Sequence, residues 1–128
     1  MDDVSFLDIL PNLTYLDLHC GEDLTDISAI RYCTELSELI LVGAVSLEDP
    51  TPIAALQQLD YLTIAECGLT DVSWMTTLQN LSSLDIRNNR ITDLSPLSEL
   101  ANLQELHMSG NLVTNYGTID RSIIVIDD

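Results

Sequence analysis

The sequence predicts a repeat solenoid of about five coils, each giving one strand and one short helical turn. Three observations predict it. Leu81–Asn102 carries apolar residues at Leu81, Leu84, Ile86, Ile91, Leu94, Leu97 and Leu100, with Asn89 between the third and fourth. That pattern slides upstream without a gap to Leu59, Leu62, Ile64, Cys67, Leu69, Val72, Met75 and Leu78. It slides downstream to Leu103, Leu106, Met108, Asn111, Val113, Tyr116 and Ile119. Fixed-period self-similarity marks units that cannot bury an apolar face alone and so stack into one continuous core. Within each unit the Leu-x-Leu segment alternates, as a strand must. Thr51-Pro52 and Ser95-Pro96 pair a hydroxyl residue with a proline, which reads as a helix start with the hydroxyl oxygen capping free amides.

Taken in order, the chain opens in mid-repeat. Asp3-Val4-Ser5-Phe6-Leu7 aligns with Asp71-Val72-Ser73-Trp74-Met75, so residues 1–12 form a partial coil. With no amphipathic cap before it, the array is expected to be part of a longer one, and the amino-terminal coil to be marginal. Full coils begin at Leu13, Leu36, Leu59, Leu81 and Leu103 within a single domain, residues 1–128. The first two are one residue longer, the extra residue falling at Gly21–Asp23 and at Ala44–Ser46. Residues 123–126 read as a final β-branched strand, either a partial cap or a sixth strand of the sheet.

The period, together with the segment Ile91-Thr-Asp-Leu-Ser-Pro-Leu97, resembles the internalin-type class of leucine-rich repeats. The resemblance covers nearly the whole chain. It implies an α/β fold: a right-handed leucine-rich-repeat solenoid with a parallel sheet on the concave side and short 3-10 or α turns on the convex side. It also implies binding of other proteins, and favours a bacterial cell-surface origin over the cytoplasm, where regulators with similar repeats occur.

Composition narrows the partner. Twenty-one acidic residues stand against four arginines and no lysine, a formal charge of −17. Nucleic acids and anionic membranes are bound by releasing counterions with Lys or Arg, so both are excluded as targets. A basic protein partner fits the charge, and so does simple solubility of a leucine-rich surface. The longest apolar run, Leu39–Val45, is too short to span a bilayer. Cys20, Cys33 and Cys67 have no metal-ligand spacing, and Cys33 and Cys67 fall on core-facing positions. No cofactor is implied.

Parallel strands in register lie ~4.8 Å apart, so equivalent residues form ladders. Gly21, Ala44, Cys67, Asn89 and Asn111 make one; in the family the Asn bonds backbone groups inside the bend after the strand. The first two coils lack it and are expected to be the less regular half. Asp3, Asp26, Asp49, Asp71, Asp93 and Asn115 make another, suited to turn hydrogen bonding ahead of a helix. Calcium is the alternative, but one carboxylate per coil does not converge several oxygens on an ion.

The outward columns of the sheet hold the candidate ligand-binding residues. They run Tyr15, Glu38, Tyr61, Ser83, Glu105, then Asp17, Ile40, Thr63, Asp85, His107, then His19, Val42, Ala65, Arg87, Ser109. Tyr15, Ile40, Val42, Tyr61 and Ala65 make an apolar patch that the fold cannot bury. Aromatic anchors among acids are typical of protein-binding surfaces, though copies of the chain, concave face or end to end, or a neighbouring domain would also cover such a patch. Asp85 beside His107 with Ser83 and Ser109 invites a Ser-His-Asp reading; an open sheet without an oxyanion hole argues against it and against an enzyme. The sequence thus predicts a recognition module acting through Tyr15, Asp17, Glu38, Ile40, Val42, Tyr61, Thr63, Asp85, Arg87 and His107. A spacer within a longer surface protein, with no ligand of its own, is the alternative.

Overall fold

The computed structural model describes residues 4–19 and 21–125. Asp3 and Ile126, which the sequence placed in a ladder and a strand, lie outside them, as does Cys20. Among the described residues six strands form one parallel sheet in chain order: β1 (Tyr15–His19), β2 (Glu38–Val42), β3 (Tyr61–Ala65), β4 (Ser83–Asp85), β5 (Glu105–His107) and β6 (Ile124–Val125). A 3-10 turn returns the chain before each of the first five, at Ser5–Ile9, Ser28–Tyr32, Thr51–Ala55, Ser73–Thr77 and Ser95–Glu99. A shorter one, Arg121–Ile123, precedes β6. The closing segment is therefore a sixth strand, with Leu106 opposite Ile124 and His107 opposite Val125.

The core lies between sheet and turns. Strands contribute Leu39, Leu41, Leu62, Ile64, Leu84 and Leu106, and turns contribute Leu7, Ile30, Ile53, Met75 and Leu97, all buried. Burying such a side chain is worth ~1.5–3 kcal/mol, against about 1 kcal/mol net for a typical hydrogen bond. Packing therefore holds the coils together, and the polar ladders set how they stack. At the amino end Val4 and Leu7 are fully buried, whereas Ile9 and Leu10 are exposed.

Inside the bends after β3, β4 and β5 the ladder works as a set of side-chain brackets. Asn89 Oδ1 accepts from the amides of Cys67 and Leu69, each at 3.0 Å, while its Nδ2 donates to the carbonyls of Ile64 at 2.8 Å and Ile86 at 2.9 Å. Asn111 repeats this, with Ile91 N at 3.0 Å, Ile86 O at 2.9 Å and Met108 O at 2.8 Å. The Cys67 thiol donates to Ala65 O at 3.2 Å, a weaker version of the same bond. Buried amides otherwise without partners are thus satisfied.

Two expectations need correcting. The first two coils are not less regular in their strands: β1 and β2 pair over five residues each, against three in β4 and β5. The extra residue is absorbed after the strand. In the second coil Gly43 takes φ +85° and accepts the Val45 amide at 2.9 Å, a tight turn that glycine enters without steric cost.

The hydroxyl ladder, secondly, marks where the turns begin but does not cap the first five; no side chain at their N-caps accepts an amide. In the second to fifth turns the carboxylate two residues earlier does so. Asp26, Asp49, Asp71 and Asp93 Oδ1 accept the amides of Ser28, Thr51, Ser73 and Ser95 at 2.8, 2.9, 3.1 and 2.8 Å. The shorter Ser or Thr hydroxyl instead donates to its Asp, from Thr51 at 2.7 Å and Ser73 at 2.6 Å. These bonds hold carboxyls below their usual range: for Asp49 and Asp93 chiefly the side-chain bond to Thr51 and Ser95, for Asp26 chiefly the Ser28 amide. Asn115 does the same for the Gly117 amide at 2.9 Å. Each aspartate serves its own turn, and among the described residues no three His, Cys, Asp or Glu side chains gather as metal ligands.

Candidate ligand-binding face

The register builds the outer face of the sheet. Tyr15 pairs with Glu38 and Glu38 with Tyr61; Asp17 pairs with Ile40 and Ile40 with Thr63; His19 pairs with Val42 and Val42 with Ala65. Beyond β3 the columns continue through Ser83 to Glu105 and through Asp85 to His107. Alternation along each strand sends these side chains away from the core. Tyr15 and Tyr61 are 51% and 50% exposed, so half of each ring stands in solvent. Ile40, Val42 and Thr63 are half-buried beside them. Ala65 is buried, its methyl too short to rise above its neighbours, and it adds nothing to the patch.

Of the residues the sequence singled out, Tyr15, Asp17, Glu38, Ile40, Val42, Tyr61 and Thr63 form one contiguous area on β1–β3. Asp85, Arg87 and His107 belong to a second, charged area on and just after β4 and β5. There Arg87 grips Asp85 with both ends of its guanidinium, Nε to Oδ1 at 3.0 Å and Nη2 to Oδ2 at 2.7 Å. His107 Nε2 lies 2.8 Å from Glu105 Oε1. Asp85 is thus held by an arginine in a bidentate pair.

A regularity that the ladder reading missed runs along the strands. Asp17 meets His19 at 3.0 Å, Asp85 meets Arg87, and Glu105 meets His107. In each case an acid precedes a basic residue by two positions, the spacing that puts both on one face. Glu38 is the remaining acid of these columns, and Ile40 stands where its cation would be. Among the described residues Glu38 makes no ion pair. Tyr15 donates to Asp17 Oδ2 at 3.4 Å, and desolvation followed by the carboxylates of Asp17 and Glu38 pushes its phenol up.

Elsewhere a cleft of about 200 Å³ opens between the bends of the second and third coils, lined by Leu47, Pro50, Leu69 and Trp74 among others. It is smaller than the ~300–1,000 Å³ of small-molecule sites, and Trp74 spends its indole N–H on Asp71 O at 2.9 Å.

Comparison with known proteins gives consistent results. A family profile described as leucine-rich repeats in two copies matches residues 57–99 and 79–120, together half of the chain. An internalin (inlF) of Listeria monocytogenes is 33% identical with a TM-score of 0.78, over 88% of this chain and 33% of that one. Internalin C2 of the same organism is 28% identical with a TM-score of 0.76, over 89% of this chain and 50% of that one. A leucine-rich repeat protein of Leptospira interrogans, at 24% identity and a TM-score of 0.72, shares the fold over 87% of this chain and 29% of its own. The chain thus spans between 29% and 50% of these solved structures. No curated protein matches it closely enough in sequence to count as a relative.

Proposed function

The chain belongs to the leucine-rich repeat family, with coils of the internalin type, and from that premise we propose that it is a recognition module whose ligand is a protein bound on the concave sheet. One observation carries the reading: two half-exposed tyrosines flank an acid on adjacent strands, with Ile40 and Val42 in the neighbouring columns. Tyrosine supplies large contact area at low entropic cost and is enriched among residues that dominate binding energy. The charge of −17 adds long-range steering of a positively charged partner, which raises the association rate more than the affinity.

Paired capture experiments test this. Wild type, Tyr61→Ala/Ile40→Ser and Arg121→Ala are immobilised side by side, and retained proteins are quantified. A true ligand is lost from the double variant, with Tyr61→Ala alone costing at least about 1–2 kcal/mol, and is kept by Arg121→Ala. Equal retention on all three refutes the concave face and leaves the spacer reading. That reading draws on the length of the solved internalins, of which this chain spans only part.

A further inference from the structure

We propose that Tyr15, Glu38 and Tyr61 form a clamp for one cationic side chain, arginine or lysine, carried by an extended segment of the partner. The inference rests on the concave face being the binding surface and adds what it reads there.

Two independent regularities point to the clamp. The first is the missing cation. Of the four carboxylates on the outward columns, Asp17, Asp85 and Glu105 each face a basic residue two positions along their own strand. Among the described residues Glu38 alone has none, and it is the acid between the two tyrosines. The second concerns the tyrosines themselves. Arg31 lies 5.0 Å from the ring centre of Tyr32, and Arg121 lies 4.2 Å from that of Tyr116. The chain has four tyrosines, and among the described residues the two with no arginine over them are Tyr15 and Tyr61. The rings lacking a cation and the acid lacking a cation are therefore one cluster.

The dimensions suit that occupant. Strand spacing sets the two tyrosines roughly 10 Å apart, so a charge above Glu38 sits about 5 Å from each, inside the ~6 Å reach of a cation–π contact. The carboxylate beneath would take the N–H groups in charge-assisted hydrogen bonds. Ile40 lies two residues along β2, about 7 Å away, the distance between alternate side chains of an extended peptide. The motif read is a basic residue and, two positions from it, an aliphatic one.

The test is an NMR titration at low salt, following Tyr15 and Tyr61 ring signals. The probes are the peptide Ser-Arg-Ser-Leu-Ser, blocked at both ends, and its analogue with citrulline for arginine, which keeps the shape and removes the charge. The arginine peptide should give saturable shifts and bind at least about tenfold tighter than the citrulline peptide. Glu38→Gln, on an exposed face and checked for an unchanged melting midpoint, should erase that preference without weakening the citrulline peptide. Equal affinity of the two peptides, no saturable shift up to about 10 mM, or indifference to Glu38→Gln overturns the clamp. A captured partner that needs Tyr61 and Ile40 but ignores Glu38→Gln would end the clamp and leave the binding face standing.

Discussion

Gly110 sits directly over Asn88. A β-carbon on Gly110 would come within 2.1 Å of Asn88 Oδ1 and 3.0 Å of its Cα, and Gly110 itself takes φ +79°. The Asn88 side chain can swing aside, but the backbone contact and the left-handed conformation remain. Gly110→Ala should therefore cost about 2 kcal/mol or more in urea denaturation. Gly21→Ala, with nothing within 4 Å of the added carbon, is the control and should be close to neutral. Similar losses for the two would refute this account.

The residue before the bracket position is left-handed in four successive coils: Gly43 at φ +85°, Glu66 at +56°, Asn88 at +60° and Gly110 at +79°. Glycine and asparagine accept that conformation, whereas a glutamate resists it by about 1–2 kcal/mol. Glycine gives back about 0.5–1 kcal/mol through its freer unfolded chain. Glu66→Gly should thus stabilise the protein by up to about 1 kcal/mol. A lower urea midpoint than wild type would contradict it.

Asp49 has its carboxyl held below the ordinary range by the Thr51 hydroxyl and amide. A lowered folded-state value means the charged form adds stability above the unfolded carboxylate pKa of about 3.9, and that this is lost as pH falls through the folded value. Asn115 shows that an amide oxygen can take the turn hydrogen bond without the charge. Melting wild type and Asp49→Asn from pH 7 down to pH 3 should show wild type's advantage shrinking below about pH 4. Relief of net-charge repulsion acts on both proteins and largely cancels. A constant difference across the range would remove the charge from the explanation.

Cys67 occupies the bracket position in a seat lined by backbone carbonyls. Cys67→Asn should be tolerated, since Asn89 and Asn111 make the equivalent bonds one and two coils on. Cys67→Leu should overpack the bend and cost about 1–3 kcal/mol. Urea midpoints decide it, and a Leu variant as stable as wild type would mean that the seat is not closed.

Sheet order, strand register and the outward columns were legible in the sequence because leucine spacing carries them: a slip of one residue would turn Leu39, Leu41, Leu62 and Ile64 into solvent. The capping was misassigned because Asp-x-Ser and Ser-Pro both look like turn starts. The carboxylate's longer reach back to the amide decides between them, and spacing alone does not show reach. The left-handed column escaped notice because Glu66 breaks its composition. The acid and base pairing along β1, β4 and β5 was written in the sequence at spacing two, but a reading down the ladders passes across it.

Asn89 and Asn111 each grip their own coil and the one before it through equivalent atoms, and the Ile86 carbonyl accepts from both. A copy of residues 81–102 placed after residue 102 would meet on either side the partners that the original meets now. The array can therefore lengthen or shorten by whole-unit duplication or deletion in its gene, gaining or losing one strand without inventing a contact. The coils before β2 and β3, with their extra residue and no asparagine bracket, lack that interchangeability. Variation in array length should fall among the asparagine-bracketed coils, while the tyrosine-bearing strands keep their places.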